Sequence, residues 1–116
     1  MQIQVNTDAN IQGREDLVSY VETEIASSLD RFSSQITRIE VHLSDSNAGK
    51  AGPHDKRCMI EVRLAGRKPE AVSDEGETLK AALGGATRKL KRFLESTLGR
   101  LDDRKGAASI RSAVEE

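Results

Sequence analysis

The sequence predicts a single α+β domain of order βαβββα, in which a four-stranded sheet carries two helices packed on one face. Three observations lead to it. Three segments alternate apolar and polar residues with the period of a strand, and two longer segments carry apolar stripes at helical spacing. A chain of 116 residues is the size of one domain with one core. Aromatic residues are only 3% of the chain and charged residues 32%, so the core must be built from Ile, Val, Leu and Ala.

Strand one is read from Ile3 and Val5, which alternate with Gln2, Gln4 and Asn6. From about Gly13 to Phe32, the residues Leu17, Val18, Val21, Ile25, Leu29 and Phe32 fall in a stripe about 120° wide, which makes helix one. Ile39, Val41 and Leu43 alternate with Arg38, Glu40 and His42; Cys58, Ile60, Val62 and Leu64 alternate with Met59, Glu61 and Arg63. These are strands two and three, expected as a hairpin. Ala65-Gly66-Arg67-Lys68 supplies a turn, and a short fourth strand returns through Ala71 and Val72, with Pro69 placing its start at an edge. Asp74 followed by Glu77 reads as a capping box that starts helix two, which runs from Asp74 to Leu101. Leu79, Leu83, Ala86, Leu90, Leu94 and Leu101 form its stripe. Thr97 sits on the midline of that stripe, and Gly99 is expected to end the helix early. The domain is therefore set at residues 1–102. Residues 103–116, with little to bury, are expected as a disordered tail.

Composition excludes several functions. No run approaches the roughly 20 apolar residues of a membrane span, and Met1-Gln2-Ile3-Gln4-Val5 alternates where a signal segment would be basic and then apolar. A cytoplasmic protein without membrane attachment is expected. Cys58 has no second cysteine to pair with and lies on the apolar phase of its strand, which suits a structural thiol. The histidines His42 and His54 belong to no catalytic motif, so no enzyme activity, small-molecule substrate or cofactor is expected. His54 and Cys58 cannot complete a metal site, and none is expected. The loop Asp45 to Arg57, with Lys50, His54, Lys56 and Arg57, lacks the Gly-Lys-Ser/Thr ending of a phosphate cradle. It either reaches a partner or is a plain connection.

The chemistry concentrates on helix two. At about 100° per residue, Lys80, Arg88 and Lys91 lie on one flank of the leucine stripe and Lys89 and Arg92 on the other. No acid lies between Glu77 and Glu95 to neutralise them along the helix. Exposed faces are often basic for solubility alone, but opposite charges at i,i+4 are then common. Cations on both flanks of a chain with net charge −1 favour a polyanion, above all the backbone of RNA. Gly84 and Gly85 each cost about 1 kcal/mol in a helix interior. They mark a kink, or close packing of helix one or a loop against bare backbone, or, for Gly84 between Lys80 and Arg88, room for a sugar-phosphate chain.

Glu77-Thr-Leu-Lys-Ala-Ala-Leu, leading to Lys89-Leu90-Lys91-Arg92-Phe93-Leu94, and the Glu61-Val-Arg-Leu-Ala-Gly end of strand three resemble the ribosome hibernation-promoting factors. That family is also called ribosome-associated inhibitor or sigma-modulation proteins, and the likeness spans about residues 1–102 in its short form. It implies a domain that binds the small ribosomal subunit and its rRNA where messenger and transfer RNA sit, silencing translation under stress. Lys89 and Arg92 match the basic positions of the family. A monomer is expected rather than a homo-oligomer. Helix one, with Glu15, Asp16, Glu22, Glu24 and Asp30 against Arg14 and Arg31, is more acidic than the family usually shows. This keeps open a ribosome-independent protein-interaction module of the same fold. A double-stranded-RNA-binding domain shares the βββα order, but its last helix starts with lysines where this one has Asp74-Glu75-Gly76-Glu77.

Overall fold

The computed structural model describes residues 1–8, 11, 14–45 and 56–113, with side chains described for all of these except 14 and 99–113. Its elements are β1 (Gln2–Thr7), α1 (Arg14–Ser28), a 3₁₀ turn (Asp30–Phe32), β2 (Ile36–Asp45), β3 (Lys56–Leu64), β4 (Glu70–Gly76) and α2 (Leu79–Ala113). The strands stand in chain order in one sheet. β1 runs parallel to β2, a pairing that requires the crossover α1 supplies. β2, β3 and β4 are antiparallel neighbours.

Alternation along β2 and β3 makes one face apolar. Ile39, Val41, Leu43, Cys58, Ile60 and Val62 are at most 2% exposed. Ile36 and Ile39, an odd step apart, are both buried because the β2–β3 register shifts between Ile36 and Arg38. The bulge turns Thr37 outward, where its Oγ1 donates to the Arg63 carbonyl at 3.1 Å. On the edge strand β1, Ile3 and Val5 are only half-buried. Two helix stripes close the core: Val21, Ile25 and Leu29 come from the first helix and its end, and Ala82, Leu83, Ala86, Leu90 and Leu94 from the second. α1 lies over β1, and α2 lies over β3 and β4. The stripe of α2 does not weaken at Thr97, which is buried beside Leu98.

Helix one ends earlier than its stripe suggests, with Leu29 at the start of the 3₁₀ turn that carries Phe32 into the core. The turn after β3 closes with Arg67 N–H donating to the Leu64 carbonyl at 3.1 Å, and Gly66 takes φ 72°, which a side chain would strain.

The largest correction falls at Asp74. It does not cap a helix: β4 runs on to Gly76, pairing Asp74 with Cys58 and Gly76 with Lys56. The ladder outweighs the local capping preference, and α2 begins at Leu79. Its cap is Thr78, whose Oγ1 accepts from the Ala81 N–H at 3.0 Å. At the other end the backbone of α2 passes Gly99 to Ala113, so residues 103–113, expected without structure, are helical, and 114–116 lie outside the described residues. The loop expected over Asp45 to Arg57 shortens to residues 46–55, which also lie outside them, because both strands extend into it and Lys56 pairs with Asp45 at 3.3 Å.

The two helix glycines differ in kind. A Cβ on Gly85 would fall 1.7 Å from Asp74 Oδ2, whereas one on Gly84 would meet only Arg88 Nη1 at 3.5 Å. Gly85 is a close-packing case, but its neighbour is Asp74 of the edge strand β4 rather than helix one or a loop, because α2 lies down on β4. Gly84→Ala is therefore expected to raise the melting temperature, since a gain of about 1 kcal/mol in helix propensity corresponds to about 4–8 °C in a domain of this size. Gly85→Ala is expected to lower it, because overpacking costs about 1–3 kcal/mol and drives Asp74 off its partners. Equal thermal shifts for the two variants would contradict this packing.

Burial, followed by the neighbouring Asp74 charge, pushes the Cys58 thiol from 9.0 up to about 12. The native thiol should resist alkylation even at pH 9 to 10 and react at once on unfolding. The sign of the linkage follows: the neutral buried thiol contributes stability that is full below 9.0 and is lost as pH rises from there toward about 12, since only the unfolded thiol ionises in that window. Rapid native labelling would show that Cys58 is not on the covered face.

Candidate nucleic-acid interface

With the leucine stripe of α2 buried on the sheet, its basic residues are forced to the flanks. Lys80, Arg88, Lys89 and Arg92 are exposed and Lys91 is half-buried. The structure thus brings all five to the helix surface, but it does not leave them equivalent.

Lys89 turns toward the edge strand. Its Nζ donates to the Ser73 carbonyl at 2.8 Å and lies 3.5 Å from Asp74 Oδ1. No acid lies along this stretch of the helix, as its sequence shows, but one reaches Lys89 from β4, across the fold. Asp74 is held below the ordinary carboxylate value, first by the Glu75 N–H bonded to it at 2.9 Å, against an opposing effect of desolvation, and then by Lys89 and Arg88. Lys89 is in part a structural cation.

The opposite flank faces α1 across a groove of about 220 Å³. Lys80, Arg88 and Lys91 line it from α2, Tyr20, Glu24 and Ser28 from α1, with the buried Leu83 and Thr87 beneath. Gly84 lies in its wall, as its place between Lys80 and Arg88 suggested. Lys80 Nζ stands 4.9 Å from the centre of the Tyr20 ring, a cation–π contact. Arg88, Lys91 and Arg92 make no ion pair among the described residues. Glu95, the next acid along α2, is taken by Arg31, which also lies over the Phe32 ring at 4.5 Å.

The acids of α1 do not cancel this field. Glu15, Asp16 and Glu22 are exposed and outside the groove, which only Glu24 enters. The sequence reading missed Glu24 and Tyr20 as site residues. Their i,i+4 spacing puts them on one helix face, but that this face meets the basic flank is a fact of tertiary packing.

The polar face of the sheet has a different character. Arg38 Nε donates to Glu40 at 2.9 Å, and His42 Nε2 lies 3.1 Å from Glu61 and 3.5 Å from Glu40. Glu40, His42 and Glu61 are the one trio among the described residues whose atoms gather closely enough to hold a metal ion, within 4.8 Å of one another. Arg38 already neutralises Glu40 along β2, and the arrangement reads as a polar hydrogen-bond network joining β2 to β3 through His42 and Glu61. Cys58 faces the core, away from this trio, and His54 lies outside the described residues. No described helix is long and apolar enough to cross a membrane.

Against known proteins, the family model of the Sigma 54 modulation protein / S30EA ribosomal protein matches residues 3–102. The Protein Y N-terminal domain of Thermus thermophilus superposes with a TM-score of 0.66 at 29% identity, over 84% of this chain and 99% of that one. A ribosomal subunit interface protein from Coxiella burnetii gives 0.62 at 17% identity, over 85% and 99%, a likeness of fold. No curated protein matches by sequence. The match extends over nearly the whole described fold and includes the basic helix, so the chain belongs to the Sigma 54 modulation protein / S30EA ribosomal protein family.

Proposed function

We propose that this chain binds the small ribosomal subunit through its rRNA, in the channel that messenger and transfer RNA occupy, and silences translation under stress. The observation that carries the reading is the surface of α2. Arg88 and Lys91 on the groove flank and Arg92 on the other flank have no ion-pair partners among the described residues, and Lys80 lines the groove beside the first two. Cations left unneutralised by their own fold release counterions when they meet phosphates, and this supplies most of the affinity of such a surface. Lys89 takes a smaller share, its charge being divided with Asp74. The family to which the chain belongs is described as that of a ribosomal protein, which supports a ribosomal partner. Binding that blocks a channel needs no catalysis, cofactor or metal, and a monomer working in the cytoplasm suffices.

The exposed acids Glu15, Asp16 and Glu22 on α1 favour a second reading, a module that docks a basic protein surface away from the ribosome. Sedimentation with purified small subunits separates the two. With about four phosphate contacts, affinity should fall about 50- to 150-fold between 50 and 200 mM salt, from a slope of about 0.7 to 0.9 per contact. Replacing Arg88, Lys91 and Arg92 together by Gln should cut that slope by roughly 2 to 3 and abolish sedimentation at 200 mM salt. Circular dichroism and melting should barely change, since surface substitutions usually stay within about 0.5 kcal/mol. A folded triple variant that binds like the wild type removes these residues from the interface. A wild type that ignores small subunits at low salt leaves the docking module standing.

A further inference from the structure

Phosphate binding accounts for the cations of the groove but not for three of its other residues. Tyr20 is 36% exposed, in a chain whose only other exposed large hydrophobic among the described residues is Met1. Glu24 places an acid in a groove lined by three cations, yet makes no ion pair among the described residues. Gly84 leaves a gap in the wall that only the Arg88 guanidinium approaches, 3.5 Å from where a Cβ would stand.

We propose that this groove seats one unpaired nucleotide of RNA and prefers guanine. The inference rests on the RNA-binding reading above and adds to it a specific subsite. The two helices run in the same sense along the groove: Tyr20 meets Lys80 at one end and Arg31 meets Glu95 at the other. Glu24, one turn beyond Tyr20, therefore lies level with the stretch of α2 that holds Gly84 and Arg88. Tyr20 and Glu24 are separated by about 6 Å along their helix, so a base stacked on the ring presents its edge to the carboxylate. The phosphate then meets Arg88 and Lys91, and the ribose passes the bare Gly84 backbone. Lys80 gives up its place over the ring and follows the neighbouring phosphate on its flexible stem.

Size and chemistry both restrict the occupant. A space of about 220 Å³ is smaller than the roughly 300–1,000 Å³ of a drug-sized pocket. It admits a splayed-out nucleotide and excludes a duplex, in keeping with how proteins read single-stranded RNA on aromatic rings. An ionised carboxylate only accepts hydrogen bonds. Guanine offers it two parallel donors, N1–H and the N2 amino group. Uracil offers one, and cytosine and adenine each set their amine beside a repelling lone pair.

The test compares a ten-nucleotide oligouridine with the same oligomer carrying one central guanosine, by fluorescence anisotropy of the labelled RNA. The full chain is used as wild type, Glu24→Gln and Tyr20→Leu. Both substituted residues are exposed, so the fold should hold, and circular dichroism checks it. A bidentate contact predicts that the wild type binds the guanosine oligomer about 5- to 150-fold more tightly. Glu24→Gln should collapse that ratio toward one while raising affinity for oligouridine, because a repelling charge has gone. Tyr20→Leu should weaken both RNAs, as loss of base stacking typically does by about 5- to 150-fold. Tyr20 is the only tyrosine and there is no tryptophan, so quenching of its emission by unlabelled RNA, corrected for absorbance, reports stacking directly. Equal affinity for the two RNAs overturns the subsite and leaves RNA binding intact, as does a guanosine preference that survives Glu24→Gln. Failure to bind either RNA, together with failure to bind small subunits, overturns both.

Discussion

A carboxylate fills the space where a side chain at position 85 would stand. Asp74 reaches from β4 under α2, and only the absence of a Cβ on Gly85 lets the helix come down onto the edge of the sheet. Much depends on this close approach. It allows Leu83, Ala86 and Leu90 to bury themselves fully on the sheet, and it puts Asp74 within reach of Lys89, tying that flank of the helix to the strand. With one flank fastened, the rotation of α2 about its axis is set. The other flank, carrying Lys80, Arg88 and Lys91, has nowhere to face but the groove beside α1.

The helix glycines show how a single pair can answer two demands. Two Gly in the interior of a helix together cost about 2 kcal/mol relative to Ala. At Gly85 the tertiary contact offsets that cost, because no other residue lets Asp74 keep its bonds to Glu75 and Lys89. At Gly84 there is no such contact, only Arg88 at ordinary distance. A residue that weakens its helix without improving the packing points to a demand other than stability, which is why Gly84 takes part in the functional argument and Gly85 does not.

Most of the fold was legible because it is written in short-range periodicity. Val41 and Ile60 are buried for the same reason their neighbours are not, and Ile25 and Leu90 sit at the centre of stripes the sequence displays. What stayed hidden involved choices between local and distant partners. Asp74 followed by Glu77 looks like a helix start because residues three apart are all a local reading can weigh, while its ladder partner Cys58 is remote. The Arg31–Glu95 and Lys89–Asp74 pairs escape any i,i+4 rule for the same reason. Helix two showed its five cations plainly. Which of them the fold had already engaged, and which residues of α1 stood opposite, only the packing of the helices decides.

Electrostatics then distinguishes the two polar faces of the molecule. On the sheet, Arg38 pairs with Glu40 along β2, and His42 lies within hydrogen-bond distance of Glu61 on β3, so the one cation of this group is already engaged and the two carboxylates would repel a phosphate. On α2 the exposed Arg88 and Arg92 and the half-buried Lys91 have no ion pairs to lose among the described residues, so their charge, apart from the share Arg88 spends on Asp74, faces outward. The acidic α1 sharpens the contrast rather than erasing it: its acids repel a phosphate chain from the outer face of that helix, and the groove, with three cations to one acid, remains the attractive path. On the proposed reading, a chain close to neutral in total binds a polyanion in one orientation only. A strongly basic protein of the same fold would gain affinity from every face and lose that selectivity.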